Sequence, residues 1–280
     1  MRSEVLVEPA ELAALLEADE VPVLTDVRWT LGGPPGLPEF EAAHLPGAQW
    51  VDLERQLSGP PGPGGRHPLP PTTAFQAAMR AIGVRADRLV VAYDAATSQA
   101  AARLWWLLTD AGHPSVRVLN GGLAAWQAEG LPTESGPARS VPAGDFVARP
   151  GQRRQLTAEH IAAGLAEGTA PALVDVRAPE RFTGATEPID PVAGHIPGAV
   201  NLPATGNHDS TGRFLDPAAI RRRYAAVGVD GDAVLYCGSG VTAAQSLLAL
   251  ESAGRTAAIY PGSWSDWIRD PRRPVATGSA

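Results

Sequence analysis

The feature that most restricts the fold of this protein is an internal duplication. Four blocks recur in the same order, at positions 24–28 (LTDVR) and 173–177 (LVDVR), 44–48 (HLPGA) and 195–199 (HIPGA), 89–94 (LVVAYD) and 233–237 (AVLYC), and 118–122 (VLNGG) and 259–263 (IYPGS). The spacing agrees as well, because His44 follows Asp26 by 18 residues and His195 follows Asp175 by 20. In a chain of 280 residues, this order and spacing predict two copies of one domain.

Each copy alternates short apolar runs with alanine-rich segments. The apolar runs predict buried parallel strands at 22–27, 89–93, 172–176 and 233–236. The alanine-rich segments predict helices at 11–18, 73–82, 100–111, 158–167, 217–227 and 242–253. Strands that alternate with helices predict an α/β fold of two tandem domains, each a parallel sheet flanked by helices on both faces.

Two stretches rich in proline and glycine are expected to lack regular structure. Residues 133–155 have no apolar period and predict a connection between the copies. We therefore predict an N-terminal domain at 1–140, a linker at 141–154 and a C-terminal domain at 155–280. The second stretch, 58–71, predicts a long loop within the first copy, and this loop carries His67.

Composition excludes several classes of function. The net charge of −7 argues against a nucleic acid or an acidic membrane surface as partner. No apolar run is long enough for a membrane helix and residues 1–11 hold no signal-peptide core, so we expect a cytoplasmic protein. All 23 basic residues are arginine, which excludes covalently bound pyridoxal phosphate and a Walker-type phosphate loop. One cysteine and six scattered histidines predict no metal site, and we expect no cofactor.

The sole cysteine, Cys237, lies between a predicted strand and a predicted helix. Open α/β sheets bind their ligands at the carboxyl ends of the strands. The following Gly-Ser-Gly segment can turn its N–H groups inward, and the helix N-terminus adds partial positive charge. We expect Ser239 or Thr242 to cap that helix. Only the thiolate form of cysteine attacks, and such a loop favours an anion. The sequence thus predicts a nucleophilic Cys237 held by several amides.

The repeated Asp-x-Arg and His-Pro-Gly blocks and the loop CGSGVTA at 237–243 resemble the two-domain rhodanese-type sulfurtransferases over nearly the whole chain. This loop is the form associated with 3-mercaptopyruvate sulfurtransferases, whereas thiosulfate-specific relatives carry Arg and Lys after the cysteine. The resemblance implies that Cys237 takes a sulfane sulfur from a small anionic donor and becomes a persulfide. The sulfur would then pass to cyanide or to a thiol such as thioredoxin. The loop residues implied in donor binding are Gly238, Gly240, Val241 and Thr242.

The resemblance also implies a proton relay and a cation for the donor. The relay would comprise Ser239, His67 from the first copy, and an acid, for which Glu54 stands where an aspartate is usual. Arg181 matches a donor-binding arginine of the family, and arginine is suited to carboxylate recognition. A second arginine that is usual in the mercaptopyruvate enzymes is missing from residues 187–192.

In the first copy, Asp94 stands where the second copy has Cys237. A carboxylate cannot accept sulfur and repels an anionic donor, so we expect the N-terminal domain to be catalytically silent. We expect structural roles for the histidines and arginines that both copies share: His44, His195, Arg28 and Arg177.

Two alternatives to a mercaptopyruvate sulfurtransferase stay open. Thiosulfate is favoured as donor by the missing second arginine. A non-catalytic sulfur carrier or binding scaffold would use the same thiol without turnover. A cysteine phosphatase is disfavoured, because its loop ends in an arginine where this chain has Ala243.

Overall fold

The computed structural model describes residues 2–229 and 232–279. The chain forms two compact units that exchange short segments along the sequence. The first unit extends to Gly59 and includes Pro70–Arg153 and His208–Phe214, and the second comprises Pro60–Leu69, Arg154–Asn207 and the residues from Leu215 onward. The linear boundaries predicted above, 1–140, 141–154 and 155–280, did not foresee the exchange of 60–69 and 208–214.

The first unit contains a parallel sheet of five strands in the order β1-β5-β4-β2-β3. Its strands are β1 (Leu6–Val7), β2 (Val23–Asp26), β3 (Gln49–Trp50), β4 (Val90–Tyr93) and β5 (Val116–Leu119). Its helices are α1 (Arg2–Val5), α2 (Pro9–Leu16), α3 (Leu37–Ala42), α4 (Leu53–Gln56), α5 (Thr72–Ala81), α6 (Gln99–Asp110) and α7 (Gly122–Ala128). Every residue of the central strand β4 is buried, as its unbroken apolar run predicts.

The second unit repeats this plan with a parallel sheet of four strands in the order β7-β6-β8-β9. Its strands are β6 (Ala172–Asp175), β7 (Val200–Asn201), β8 (Ala233–Tyr236) and β9 (Ala258–Ile259). Its helices are α8 (Ala158–Glu167), α9 (Pro179–Thr183), α10 (Pro217–Ala225), α11 (Val241–Ser252) and α12 (Ser263–Trp267), with a 3₁₀ turn at Ala204–Asn207. The inner strand β8 is buried throughout and ends directly before Cys237.

The predicted fold class is confirmed, and all four predicted strands and six predicted helices are present within two residues of their expected ends. The elements that the sequence analysis did not predict are the two-residue strands, the strand β5 and the short helices. Both irregular stretches are confirmed, because 58–71 and 133–155 contain isolated bridges but no helix or strand.

The residues that recur in both copies make the same contacts within each unit. Arg28 binds Asp26 at 2.8 Å and Arg177 binds Asp175 at 2.6 Å, and each arginine also donates to a backbone carbonyl. His44 stacks on Phe40, and His195 stacks on Phe182. In both pairs, Nδ1 of the histidine lies 2.8 Å from the carbonyl oxygen of the stacked phenylalanine. The predicted structural roles of these residues are confirmed.

No helix within residues 2–229 and 232–279 has the length and apolar character needed to cross a membrane.

Candidate active site

The thiol of Cys237 lies at the carboxyl end of the inner strand β8 of the second unit. The chain then turns through Gly240, whose φ of 82° is left-handed and therefore favours glycine, and α11 begins at Val241. This turn directs the Gly240 N–H at Sγ, with an N to S distance of 3.1 Å. Cys237 is 3% exposed. The turn therefore supplies one of the inward-facing amides that the sequence predicts. Within the described residues, however, one amide donates to the sulfur rather than several.

A hydroxyl group also lies close to the cysteine. Ser263 Oγ accepts a hydrogen bond from the Cys237 N–H at 3.1 Å and lies 4.0 Å from Sγ. Ser263 has a φ of 55°, a backbone conformation that is uncommon for a residue with a side chain. The first copy has Gly122 at this position, with a φ of 57°. The second copy therefore keeps the left-handed turn and gains a hydroxyl beside its cysteine.

The loop serine contacts a histidine that is distant in sequence. Ser239 Oγ lies 2.7 Å from Nδ1 of His67, and both side chains are buried. This contact is possible because the segment Pro60–Leu69 belongs to the second unit. Two members of the predicted relay are thus brought together.

Glu54, the third predicted member of the relay, belongs to the first unit. It is exposed and accepts a hydrogen bond from Trp29 Nε1 at 2.9 Å. Its neighbour Asp52 is the N-cap of α4 and accepts from the N–H groups of Glu54 and Arg55. A role for Glu54 beside His67 stays a prediction.

The expected capping of α11 is wrong. Its N-cap is Gly240, and neither Ser239 nor Thr242 supplies a side-chain cap. Ser239 is oriented by His67 instead, so that its hydroxyl is part of the site rather than of the helix terminus. Val241 is buried and Thr242 half-buried in the first turn of α11.

The predicted donor-binding arginine lies beside the loop in a fixed position. Arg181 donates from Nε and Nη2 to the carboxylate of Glu187 and from Nη2 to Asp190. Although burial opposes ionisation, hydrogen bonds from Arg181 and from backbone amides lower the pKa of Glu187 below its ordinary value. A Cβ atom at Gly238 would lie 3.6 Å from Nη1 of Arg181. Nη2 of Arg181 would lie 3.7 Å from the same Cβ atom, so the end of the guanidinium group lies beside the cysteine loop.

A second guanidinium group, which the sequence analysis missed, approaches the same glycine. Arg66 donates from Nη1 to Asp190, and its Nη2 would lie 3.0 Å from a Cβ atom at Gly238. The arginines and acids form an ion-pair network that alternates in sign, in the order Asp175, Arg177, Glu187, Arg181, Asp190 and Arg66. The one available signal was the position of Arg66 directly before His67.

The first unit shows what the equivalent loop does with a carboxylate in place of the thiol. Oδ1 of Asp94 accepts from the N–H groups of Ala96 and Ser98, and Oδ2 accepts from those of Ala100 and Ala101, at 2.9 to 3.3 Å. Burial raises the pKa of Asp94, although the four amides act in the opposite direction. The loop before α6 is thus an anion site that is occupied by its own side chain.

Comparison with known proteins agrees with this architecture. The Rhodanese-like domain family matches residues 8–129 and 157–270, which together make up most of the chain. The chain belongs to the rhodanese family. Its relatives in this family include a protein of Mycobacterium tuberculosis, provisionally named thiosulfate sulfurtransferase SseB, that is 43% identical over 100% of this chain and 99% of its own length. Another is the 3-mercaptopyruvate sulfurtransferase of Homo sapiens, 37% identical over 89% of this chain and 86% of its own length.

Solved structures of the rhodanese family have the same fold. The 3-mercaptopyruvate sulfurtransferase SseA from Escherichia coli superposes with a TM-score of 0.81 at 32% identity, covering 93% of this chain and 98% of its own. The 3-mercaptopyruvate sulfurtransferase from Leishmania major gives a TM-score of 0.82 at 29% identity, covering 96% of this chain and 76% of its own. With the thiol at the end of β8, these relatives identify the chain as a sulfurtransferase.

Proposed function

We propose that this protein transfers sulfur from 3-mercaptopyruvate through a persulfide on Cys237 to a thiol acceptor. The observation that carries the proposal is the hydrogen bond from the Gly240 N–H to Sγ, because an amide at the N-terminus of α11 stabilises a thiolate. The thiolate is the form of cysteine that attacks sulfur.

The proposed first half-reaction conserves atoms and electrons. The Cys237 thiolate attacks the donor sulfur, an S–S bond forms, and the C–S bond of the donor breaks. The bonding electron pair leaves with the carbon as the enolate of pyruvate, which takes one proton to give pyruvate. The cysteine is left as a persulfide, Cys–S–SH. In the second half-reaction, an acceptor thiolate attacks the outer sulfur and releases the Cys237 thiolate.

The Ser239–His67 pair is suited to move the proton that this reaction needs. Its 2.7 Å contact lies within the range of a general acid–base relay. We assign Ser239 and His67 to proton transfer toward the leaving enolate, with Glu54 as the third member that the resemblance implies.

The charge of the site favours a monoanionic donor. In the ion-pair network, three guanidinium groups are matched by three carboxylates, so the network has no surplus positive charge for a dianion. The cysteine loop and the first turn of α11 would contact the donor through Gly238, Gly240, Val241 and Thr242. Arg181 would bind the carboxylate of the donor through Nη1. The balanced charge of the network favours the keto acid over thiosulfate.

A small thiol protein such as thioredoxin is the proposed acceptor, and the proposed location is the cytoplasm. We propose that the first unit is catalytically silent. The carboxylate of Asp94 accepts the hydrogen bonds of the loop amides, and it stands where the second unit has its sulfur nucleophile. Neither a nucleic acid nor a membrane is a proposed partner, because the net charge is −7.

Mass spectrometry after exposure to donor tests the nucleophile. The wild-type protein should gain one sulfur atom on Cys237, and Cys237→Ser should gain none and lose essentially all transfer while keeping its circular dichroism spectrum. Transfer near the wild-type rate by the serine variant would refute the proposal. Persulfide formation without turnover in the presence of cyanide or thiol would identify a sulfur carrier instead.

A second candidate donor is thiosulfate. It is favoured by the missing arginine in residues 187–192 and by the name of the mycobacterial relative. Steady-state turnover of both donors with cyanide as acceptor decides between them. We expect the larger kcat/KM for 3-mercaptopyruvate, and a preference for thiosulfate would overturn the choice of donor.

A further inference from the structure

We propose that a cluster of exposed apolar side chains beside the cysteine loop is the docking surface for the sulfur acceptor. The acceptor that fits it is a small thiol protein whose reactive cysteine lies in an uncharged surface. The inference rests on the proposed function and extends it to the partner of the second half-reaction. The cluster consists of Ile189, Val192 and Val275, and we call it the apolar rim.

The apolar rim gathers the exposed large hydrophobic side chains of the second unit in one place. Among the described residues of that unit, Ile189, Val192 and Val275 are such side chains, with exposed fractions of 40%, 37% and 39%. Ile189 and Val192 lie on one loop. Val275 packs against the end of that loop, because a Cβ atom at Gly194 would lie 3.0 Å from its Cγ1. Single exposed hydrophobic residues are ordinary, whereas a cluster of them marks an interaction site.

The loop 185–193 turns its charged side chains inward and its uncharged side chains outward. The carboxylates of Glu187 and Asp190 are 3% and 4% exposed, because both bind Arg181. The exposed residues of the loop are Ala185, Thr186, Pro188, Ile189, Pro191 and Val192. A surface loop commonly exposes its acidic residues, so this arrangement is the reverse of the usual one. Because charged residues are depleted in the cores of protein interfaces, the apolar rim suits a neutral protein surface.

The apolar rim is held next to the nucleophile by a buried tryptophan. Trp264 donates from Nε1 to the carbonyl oxygen of Val192 at 2.9 Å, and its backbone N–H donates to the carbonyl oxygen of Cys237 at 3.0 Å. The guanidinium carbon of Arg177 lies 4.8 Å from the centroid of the Trp264 ring. One fixed residue therefore connects the loop to the cysteine. A surface that is already ordered loses little conformational entropy when a partner binds.

The chemistry of the second half-reaction selects the occupant. The acceptor must bring a thiolate to the outer sulfur of the persulfide, so that the Cys237 thiolate can leave. A second copy of this chain cannot supply that thiolate, because its sole cysteine is the buried Cys237 itself. A small free thiol has too little surface to cover side chains that come from two segments of the chain. A thiol protein of the thioredoxin kind meets both requirements.

The kinetic test compares a protein acceptor with a small one, and reduced thioredoxin and cyanide are the probes. Pyruvate formation from 3-mercaptopyruvate measures turnover with each. Ile189→Ser combined with Val192→Ser should lower kcat/KM for thioredoxin about tenfold, because less apolar area is buried on docking, and should leave kcat/KM for cyanide unchanged. Val275→Ser, on the other segment, should lower the thioredoxin value about threefold.

The first unit offers a matched control. Leu31 and Leu37 are exposed by 39% and 40% between Arg28 and His44, the segment that corresponds to 178–194 in the second unit. Leu31→Ser combined with Leu37→Ser should therefore change neither kcat/KM value. An equal loss for both acceptors in the rim variant would show a role in folding or donor binding and overturn the inference. Turnover of the wild type with cyanide but not with thioredoxin would overturn it as well.

A binding test separates this inference from the proposed function. Titration of ¹⁵N-labelled thioredoxin with Cys237→Ser, followed by NMR, should give a Kd that rises about tenfold when Ile189→Ser and Val192→Ser are added. This result does not depend on the donor, so it judges the apolar rim even if the wild type forms no persulfide with 3-mercaptopyruvate. An equal Kd would overturn the inference. A wild-type dimer that sedimentation velocity shows to dissociate in the rim variant would assign the surface to a second copy instead.

Discussion

Nδ1 of His67 lies 2.7 Å from Oγ of Ser239, although 172 residues separate them in sequence. Both side chains are buried, and the serine is two residues from the cysteine. The histidine reaches the serine because the segment Pro60–Leu69 packs within the second unit. The pair is therefore the part of the site that depends most directly on long-range folding.

Removal of either member of this pair should lower kcat for 3-mercaptopyruvate by about 10² to 10⁴, the usual range for acid–base catalysis, with a small effect on KM. Because the two act as one relay, Ser239→Ala combined with His67→Gln should lose little more than either single variant. Initial-rate kinetics across pH measures this. His160→Gln is the control, since His160 is an exposed residue in the first turn of α8 of the same unit, where it completes the capping box of Thr157. Losses that multiply in the double variant would show that the residues act separately.

Arg181→Ala should weaken use of the donor by about 2 kcal/mol, roughly a 30-fold loss in kcat/KM, because one charge-assisted hydrogen bond to the donor is lost. Glu187 retains Arg177 as a partner at 3.3 Å, so the ion-pair network should survive in part. Thermal denaturation establishes that the variant is folded before kinetics is compared. An unchanged KM and rate would contradict the assignment of Arg181.

Asp94→Ala should lower the free energy of unfolding by about 2 kcal/mol or more, because four N–H groups of the first unit lose their acceptor. Urea denaturation measures the loss. Asp87→Ala removes an exposed carboxylate of the same unit and should change stability by at most about 0.5 kcal/mol. At temperatures where Asp94→Ala stays folded, sulfur transfer should be unchanged. A specific loss of transfer there would contradict a silent first unit.

His208 should make stability depend on pH between about 4 and 6.5. Burial lowers the pKa of His208 from 6.5 to about 4, while Asp209 opposes the shift. The unfolded chain therefore binds the proton first as pH falls, so that this contribution is complete above pH 6.5 and is lost toward pH 4. The loss is up to about 3 kcal/mol.

The His208→Gln variant isolates this effect. Its free energy of unfolding, measured by denaturant titration at several pH values, should fall less steeply than that of the wild type between pH 6.5 and 4. Contributions from carboxylates and from His113 are common to both proteins and cancel in the difference. Parallel curves for the two proteins would assign the pH dependence to other groups.

Local sequence determined much of the architecture. The apolar run 233–236 and the alanine-rich run 158–167 match β8 and α8 residue for residue, because the signals of a buried strand and of a helix are contained within a few neighbouring residues. The shortest elements were missed, since two residues such as Leu6–Val7 hold no period, and they become strands only by pairing with a neighbour. The duplication also indicated which histidines and arginines have structural roles, because both copies use these residues for the same local contacts.

For the active site too, the sequence determined some features and the tertiary structure determined the others. Sequence alone placed the cysteine at the end of a strand, before a turn that requires glycine at 240. Only the tertiary structure paired Ser239 with His67, brought Arg66 to Asp190 across 124 residues, and left Ser263 in a left-handed turn beside the thiol. The reason is that propensity and periodicity act over a few residues, whereas these contacts depend on how the loop 60–69 packs. Nothing within that loop's own sequence states which unit it will join.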